Sequence, residues 1–148
     1  MITFRIPAAK DASILSRLHA EMFFGTGETG WSDTFFASTF ASPVHQSLLL
    51  NTGEADIGFC LWTHVADEAE ILTIGITPAF QKKGYGRNLL DEVIRQNAQK
   101  GIKNLYLDVS AQNIPALSLY EKVGFTVAHR RSKYYENGAD AVIMVKNL

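Results

Sequence analysis

Two consecutive segments in the middle of the chain each have the pattern of a strand followed by a helix, and these units constrain the fold most. In the first, an apolar run at 69–77 precedes apolar residues at helical spacing over 84–100. In the second, residues 103–109 alternate between apolar and polar side chains, and Asn113 can cap a helix that ends at Gly124. Strands that alternate with helices in this way predict a mixed α/β domain.

The flanking segments complete this prediction. Helical spacing follows Pro7, and Ser32 or Asp33 can cap a second short helix. The segment GTGETG, residues 25–30, is predicted to be a flexible loop between these two helices. We therefore expect one α/β domain over residues 1–148, with about four helices and about seven strands. The remaining strands are predicted at 3–6, 46–51, 57–65, 125–131 and 140–146.

Composition and charge argue against several classes of protein. The formal net charge of −1 gives no overall positive field for nucleic-acid binding. There is no run of about 18 apolar residues and no signal-peptide pattern, so we expect a cytoplasmic protein without membrane contact. The only cysteine, Cys60, lies in an apolar run and is expected to be buried. The four histidines and this cysteine lack the spacing of a metal site.

The segment QKKGYG, residues 81–86, joins the first predicted strand to its helix. Such a turn exposes the first N–H groups of the helix, and glycine lets an anion come close to the backbone. Glycine pairs also occur in ordinary turns, so both interpretations remain open from these six residues alone. The segment lacks the Gly-Lys-Ser/Thr of a nucleotide-hydrolysing P-loop and the third glycine of a dinucleotide-binding fingerprint.

The surrounding residues resemble the GNAT superfamily of acetyl-CoA-dependent N-acetyltransferases. Gln81, Gly84 and Gly86 match its acyl-carrier motif, which has Gln or Arg, two residues, Gly, one residue, and Gly or Ala. The segments WSDTFFAS and KYYENGADAVIM are similar to segments of one subfamily, the bacterial ribosomal-protein-alanine N-acetyltransferases. The resemblance implies a mixed, splayed β-sheet. The superfamily's partner motif is matched at Asn113, Ala116, Leu119, Tyr120, Gly124 and Phe125.

The resemblance also implies that acetyl-CoA is the co-substrate. The backbone of the strand that ends near Ile76 would pair with the pantetheine arm, and the amides of the turn would bind the pyrophosphate. The basic side chains of the turn are also compatible with a solvated basic face. The implied cofactor-binding residues are Ile74, Ile76, Gln81, Lys82, Lys83, Gly84, Tyr85, Gly86, Arg87, Asn113 and Tyr120.

A proton donor and a base follow from the same resemblance. Tyr120 corresponds to the residue that protonates the departing CoA thiolate, although tyrosines at such positions also anchor helices on sheets. The subfamily has Glu where this chain has the shorter Asp108, and many superfamily members carry a catalytic Glu at the position of Glu70. Catalysis by Asp108, catalysis by Glu70 and a mechanism in which neither acts directly all remain open.

Two details of the strand at 69–77 bear on this choice. Alternation predicts that Glu70 lies on the same face as Leu72, Ile74 and Ile76. We also expect Gly75 to permit a β-bulge, which would splay the strand and point a backbone N–H at the thioester oxygen.

Three aromatic residues are candidates to bind the acceptor. Tyr134 and Tyr135 lie in the loop between the last two strands, and Trp31 borders the early loop. Each is also compatible with ordinary packing. The segment HRRSK, residues 129–133, is a poor signal for nucleic-acid binding.

The resemblance implies an N-acetyltransferase that moves acetyl directly from acetyl-CoA to a primary amine, without an acyl-enzyme, and we expect no metal. The subfamily resemblance implies that the acceptor is the N-terminal alanine of a small-subunit ribosomal protein. An α-amino group, with a pKa near 8, needs a weaker base than a lysine with a pKa of about 10.4. The alternatives are an acceptor that is a small amine, an antibiotic or a protein lysine, or a CoA-binding regulatory module without turnover. Either a monomer or a homodimer is expected.

Overall fold

A mixed β-sheet organises the fold. The computed structural model describes residues 1–24 and 30–148, and within them seven strands lie in the order β1-β2-β3-β4-β5-β7-β6. Strands β4 and β5 are parallel, and the other neighbouring pairs are antiparallel. The strands are Thr3–Arg5 (β1), His45–Asn51 (β2), Asp56–Val65 (β3), Glu68–Ile76 (β4), Asn104–Ser110 (β5), Thr126–Arg131 (β6) and Ala141–Asn147 (β7).

Four α-helices of the described residues flank the sheet: Ala12–Met22 (α1), Asp33–Thr39 (α2), Tyr85–Gln99 (α3) and Ile114–Val123 (α4). The predicted α/β class and the numbers of strands and helices are confirmed. Ser32 is the cap of α2, since its hydroxyl accepts a hydrogen bond from the Phe35 N–H at 3.1 Å. The predicted loop at 25–30 lies outside the described residues, apart from Gly30.

Two apolar clusters cover opposite faces of the sheet. Helices α3 and α4 pack on one face, where Leu105, Leu107 and Val109 of β5 are buried as their alternation predicts. Helices α1 and α2 pack on the other face, around Phe36 and Phe59. Cys60 is buried in the α3/α4 cluster, as expected. Within residues 1–24 and 30–148, no helix has the length and apolar character needed to cross a membrane.

Strands β4 and β5 diverge halfway along their length. Their parallel pairing joins Glu68–Ile71 to 104–107, and it extends no further among the described residues. On its other edge, β4 stays paired with β3 as far as Ile76. The second half of β4 therefore turns one edge of backbone N–H and C=O groups toward a wedge-shaped opening, and the predicted splay of the sheet is confirmed.

The irregularity in β4 lies at Leu72, so the prediction of a bulge at Gly75 is wrong. Trp62 of β3 opposes Ile71 and the preceding Leu61 opposes Thr73, which makes Leu72 the extra residue. A bulge increases the local twist of a strand, and this one occurs where β4 leaves β5.

The bulge also changes which side chains share a face. Ile71 and Ile74 both pack in the α3/α4 cluster, although an odd number of steps separates them. Leu72 packs against the α1/α2 cluster instead. Glu70, which precedes Ile71, therefore shares a face with Leu72 but not with Ile74 or Ile76, and the predicted common face is wrong in that respect.

Two glycines allow close contacts with β4. Gly75 lets α1 approach this strand, and Gly58 lets the backbones of β3 and β4 approach each other. A Cβ on Gly75 would lie 2.6 Å from Cε of Met22 in α1, which a flexible side chain can partly relieve. A Cβ on Gly58 of β3 would lie 2.4 Å from the carbonyl oxygen of Gly75. That second contact is with backbone, so the strands themselves would have to move.

We expect Gly58→Ala to lower the free energy of unfolding by about 1–3 kcal/mol, because its Cβ would overlap the β4 backbone. Gly86→Ala is the control, since its Cβ would meet Leu119 at 3.8 Å and Ile76 at 3.9 Å, which are ordinary contacts. Alanine is more favourable than glycine in a helix by up to about 1 kcal/mol, so Gly86→Ala should be no less stable than the parent. Urea denaturation measures both values, and equal stability of the two variants would contradict the packing argument.

Candidate active site

A cavity of about 480 Å³ opens where β4 and β5 diverge. Strand β4 contributes one wall, the end of β5 a second, and α1, α4 and the loop between β6 and β7 close the sides. Most of the predicted catalytic and acceptor residues therefore meet at one place. The predicted site residues that line the cavity are Trp31, Ile74, Asp108, Asn113, Tyr120 and Tyr135.

Tyr120 reaches the cavity from α4 and is only 8% exposed. Its ring packs edge-on against Phe125, with ring centres 5.8 Å apart. Burial raises the pKa of Tyr120 well above its usual value, and Cys60 and Tyr135 add to the shift. The phenol is therefore protonated at neutral pH and has a proton to give.

Asn113 begins α4 and lies at the same cavity. Its Oδ1 accepts a hydrogen bond from the Ala116 N–H at 3.3 Å, which caps the helix as predicted. The cap uses the side-chain oxygen, so the Nδ2 amide group is left to donate elsewhere. Two helical turns separate Asn113 from Tyr120, and both line the cavity as their spacing predicts.

The two candidate carboxylates occupy different positions. Asp108 lines the cavity, whereas Glu70 lines a neighbouring groove with Asp67, Glu68 and Tyr106. Burial raises the pKa of Glu70, the negative charge of Asp108 raises it further, and Arg131 opposes the shift. The carboxylates thus interact, but of the two only Asp108 is among the described residues that line the cavity with Tyr120.

The turn at 81–86 is shaped to present backbone N–H groups. Lys82 has φ +62° and Gly84 has φ +85°, so two of its residues are left-handed. Among the described residues, no side chain caps α3, and the Asn88 N–H makes an intrahelical bond to the Gly84 carbonyl. Gln81 Nε2 donates to the Ile76 carbonyl at 2.9 Å, which ties the turn to the end of β4. The first N–H groups of α3 can therefore bind an anion.

The fold itself does not require glycine at position 86. The Cβ of an alanine there would make only ordinary contacts with α4 and β4, and a helix would favour alanine. The space beside Gly86 therefore fits the close approach of a phosphate group.

The basic side chains of the turn are at the surface. Arg87 forms an exposed ion pair with Asp91 at 3.2 Å, and Lys83 Nζ lies 5.7 Å from the centre of the Phe80 ring. Lys82 is exposed. These side chains can add attraction for an anion, but the geometry of the turn depends on the backbone.

The aromatic acceptor candidates fall into two groups. Trp31 and Tyr135 line the cavity. Tyr134 is 50% exposed, and its ring lies against the Arg131 guanidinium outside the described lining of the cavity. Asp140 braces the loop that carries both tyrosines by accepting a hydrogen bond from the Lys133 N–H at 3.0 Å.

Sequence reasoning missed His19 and Thr73, which also line the cavity. Thr73 is 6% exposed, and its Oγ1 has no hydrogen-bond partner among the described residues. A buried hydroxyl without a hydrogen-bond partner in the protein normally bonds to a water or a ligand. Simple alternation could not identify Thr73, because the extra residue at Leu72 changes the direction of every later side chain. In the part of the chain that the structure describes, no His, Cys, Asp and Glu side chains group to hold a metal.

The fold and this site define the class of the protein, which is an acyl-transfer enzyme. The model of the Acetyltransferase (GNAT) family matches residues 13–125, and the chain belongs to that family. Its co-substrate is acetyl-CoA.

Within the family, the chain is similar to enzymes that modify protein N-termini. It is 35% identical to the [Ribosomal protein bS18]-alanine N-acetyltransferase of Escherichia coli strain K12 over 117 residues, which are 77% of this chain and 78% of that one. It is 34% identical to the N-alpha-acetyltransferase RimI of Mycobacterium tuberculosis over 139 residues, or 90% and 85% of the two chains. The crystal structure of the Escherichia coli ribosomal-protein-S18-alanine N-acetyltransferase superposes with a TM-score of 0.90 at 29% identity, over 99% of this chain and 94% of that one.

The interaction between the two carboxylates can be measured directly. Asp108→Asn removes the negative charge that raises the pKa of Glu70. The pKa of Glu70 should therefore fall toward its usual value. The measurement is a pH titration of the Glu70 side-chain carboxyl signal by ¹³C NMR. Asp91→Asn, on the exposed face of α3, is the control and should leave the Glu70 titration unchanged. An unaltered Glu70 pKa in Asp108→Asn would show that the groups do not interact.

Proposed function

We propose that this enzyme acetylates the α-amino group of a protein N-terminus that begins with alanine, and that a small-subunit ribosomal protein is its acceptor. The main observation is that Asp108, Asn113 and Tyr120 line one cavity at the divergence of β4 and β5. The identity to the bS18-alanine enzymes supports the choice of acceptor. Ribosomal proteins are made in the cytoplasm, so the proposal places the enzyme there, as a monomer or homodimer.

The donor side of the proposed site uses backbone groups. The amides that begin α3, at residues 84–87, bind the pyrophosphate, with help from Lys82 and Lys83. The edge of β4 near Ile74 and Ile76 that faces away from β3 pairs with the pantetheine arm. A backbone N–H of this edge stabilises negative charge as it develops on the thioester oxygen.

The chemistry proceeds in one transfer. Asp108 accepts a proton from the amine while the nitrogen attacks the acetyl carbon, so that a C–N bond forms. The C–S bond breaks, and Tyr120 donates its phenolic proton to the leaving sulfur. Because Asp108 is one methylene shorter than the glutamate of the subfamily, we propose that it acts through a bridging water. The enzyme also gains rate by holding amine and thioester together.

The two acceptor aromatics of the cavity, Trp31 and Tyr135, flank the entering peptide in this proposal. Tyr134 is exposed beside Tyr135, and in this proposal it contacts residues further along the peptide. Glu70 lies in the neighbouring groove, where burial and the negative charge of Asp108 raise its pKa, and in this proposal it takes no direct part in the transfer.

An acetyl-transfer assay with purified protein tests the proposal. The acceptors are peptides with alanine or another residue at the N-terminus, an N-terminally blocked peptide with a single lysine, and a polyamine. Acetylation of alanyl peptides in preference to all others supports the proposal. Preference for the lysine peptide or the polyamine, or binding of CoA without turnover of any acceptor, would overturn it.

Tyr120→Phe should lower turnover of an alanyl peptide by about one to two orders of magnitude, because the leaving sulfur loses its proton donor. Affinity for CoA, measured by calorimetry, should stay close to that of the parent. Tyr106→Phe, which changes a tyrosine of the neighbouring groove, is the control and should retain turnover. Full turnover by Tyr120→Phe would exclude the proton-donor role.

A negative charge in the turn at 81–86 should weaken the binding of CoA. A Cβ on Gly84 meets no atom within 4 Å, so both aspartate and asparagine fit there, and both share the strain of φ +85°. Gly84→Asp should therefore weaken CoA binding more than Gly84→Asn, and the difference should shrink as salt is added. Isothermal calorimetry at low and high salt measures it. Equal affinities for the two variants would mean that the pyrophosphate binds elsewhere.

A further inference from the structure

His19 is held in the wall of the cavity by aromatic rings. It belongs to α1, is 2% exposed and lines the cavity. Its ring stacks on Trp31, with centres 4.4 Å apart and planes 18° apart, and lies 4.7 Å from the ring of Phe23. Phe36 and Phe59 lie beyond, at 5.9 Å and 6.4 Å. The orientation of the imidazole is therefore set by packing.

A backbone hydrogen bond sets the tautomer of this ring. The Trp31 N–H donates to Nδ1 of His19 at 3.2 Å, so Nδ1 is an acceptor and carries no proton. The proton of the neutral ring is then on Nε2, which makes no hydrogen bond with any described residue. Burial lowers the pKa of His19 to about 4, so the ring stays neutral at physiological pH.

This arrangement makes His19 a hydrogen-bond donor rather than a base. A nitrogen that already carries a proton cannot take one from the attacking amine, whereas it can donate to an oxygen. In a peptide N-terminus, the first carbonyl oxygen is three bonds from the amine nitrogen. A lysine side chain or a polyamine has methylene groups at that distance from its amine.

We infer that Nε2–H of His19 donates a hydrogen bond to the first carbonyl oxygen of the acceptor peptide, and that this bond makes the enzyme select α-amines. The inference rests on the proposed function and adds a specificity-determining residue to it. A site built to hydrogen-bond a substrate group discriminates against an analogue without that group, because the buried donor is then left unpaired.

The test combines one variant with one substrate analogue. His19→Phe keeps a ring that can stack on Trp31 but has no donor. The analogue is an alanyl peptide whose first peptide bond is replaced by a trans-alkene, which keeps the shape and removes the carbonyl oxygen. We expect the parent enzyme to favour the natural peptide by about 10- to 100-fold in kcat/KM. The kcat/KM of His19→Phe for the natural peptide should be lower than that of the parent enzyme by the same factor. Its kcat/KM for the alkene peptide should stay close to that of the parent.

Several outcomes would overturn the inference. Equal kcat/KM of the parent enzyme for the two peptides would do so without any variant, even if His19→Phe failed to fold. A preference that persists in His19→Phe, or an equal loss on both peptides, would assign His19 a structural role alone. In these cases the proposed function stands, because alanyl peptides are still acetylated. If the parent enzyme acetylates no peptide N-terminus, the proposed function itself fails.

Discussion

The partial separation of β4 from β5 is the constraint on which the rest of the site depends. β4 keeps its ladder with β3 to Ile76 but leaves β5 after Ile71, at the extra residue Leu72. The sheet stays continuous while one edge of β4 becomes available to a ligand. Backbone polar groups that leave a ladder need other partners, so a strand edge of this kind is suited to binding an extended molecule. The same opening accommodates side chains from α1, α4 and the last loop.

The two faces of the sheet contribute different chemistry to this opening. Tyr120 belongs to the α3/α4 cluster, whose apolar surroundings keep it protonated. Asp108 alternates with the buried residues of β5 and so projects toward the α1/α2 side, where His19 and Trp31 lie. The phenol of Tyr120 and the carboxylate of Asp108 therefore approach one cavity from opposite faces. This placement supports the proposed transfer from thioester to amine, in which one group accepts a proton while the other supplies one.

The order and type of the elements could be predicted from the sequence, because periodicity and capping residues such as Ser32 and Asn113 act locally. The face of the Glu70 side chain relative to Ile74 and Ile76 could not be predicted, because one extra residue in β4 reverses the alternation between them. That extra residue is visible only once β3 is paired with β4. His19 was missed for a related reason. Its surroundings come from Trp31, which precedes α2, from Phe36 of α2 and from Phe59 of β3, which lie further along the sequence. The different positions of Glu70 and Asp108 relative to the cavity could not be predicted either, since the two residues lie on neighbouring strands with similar patterns.

A crystal structure with a bisubstrate analogue, in which CoA is joined to the amine of an alanyl peptide, tests most directly whether both substrates meet at the divergence of β4 and β5. We predict that the pyrophosphate contacts the amides of residues 84–87 and that the Tyr120 hydroxyl lies beside the sulfur. The alanyl nitrogen should lie within one bridging water of Asp108. A pyrophosphate bound away from the start of α3, or a peptide that enters the groove of Glu70 instead of the cavity, would contradict this account.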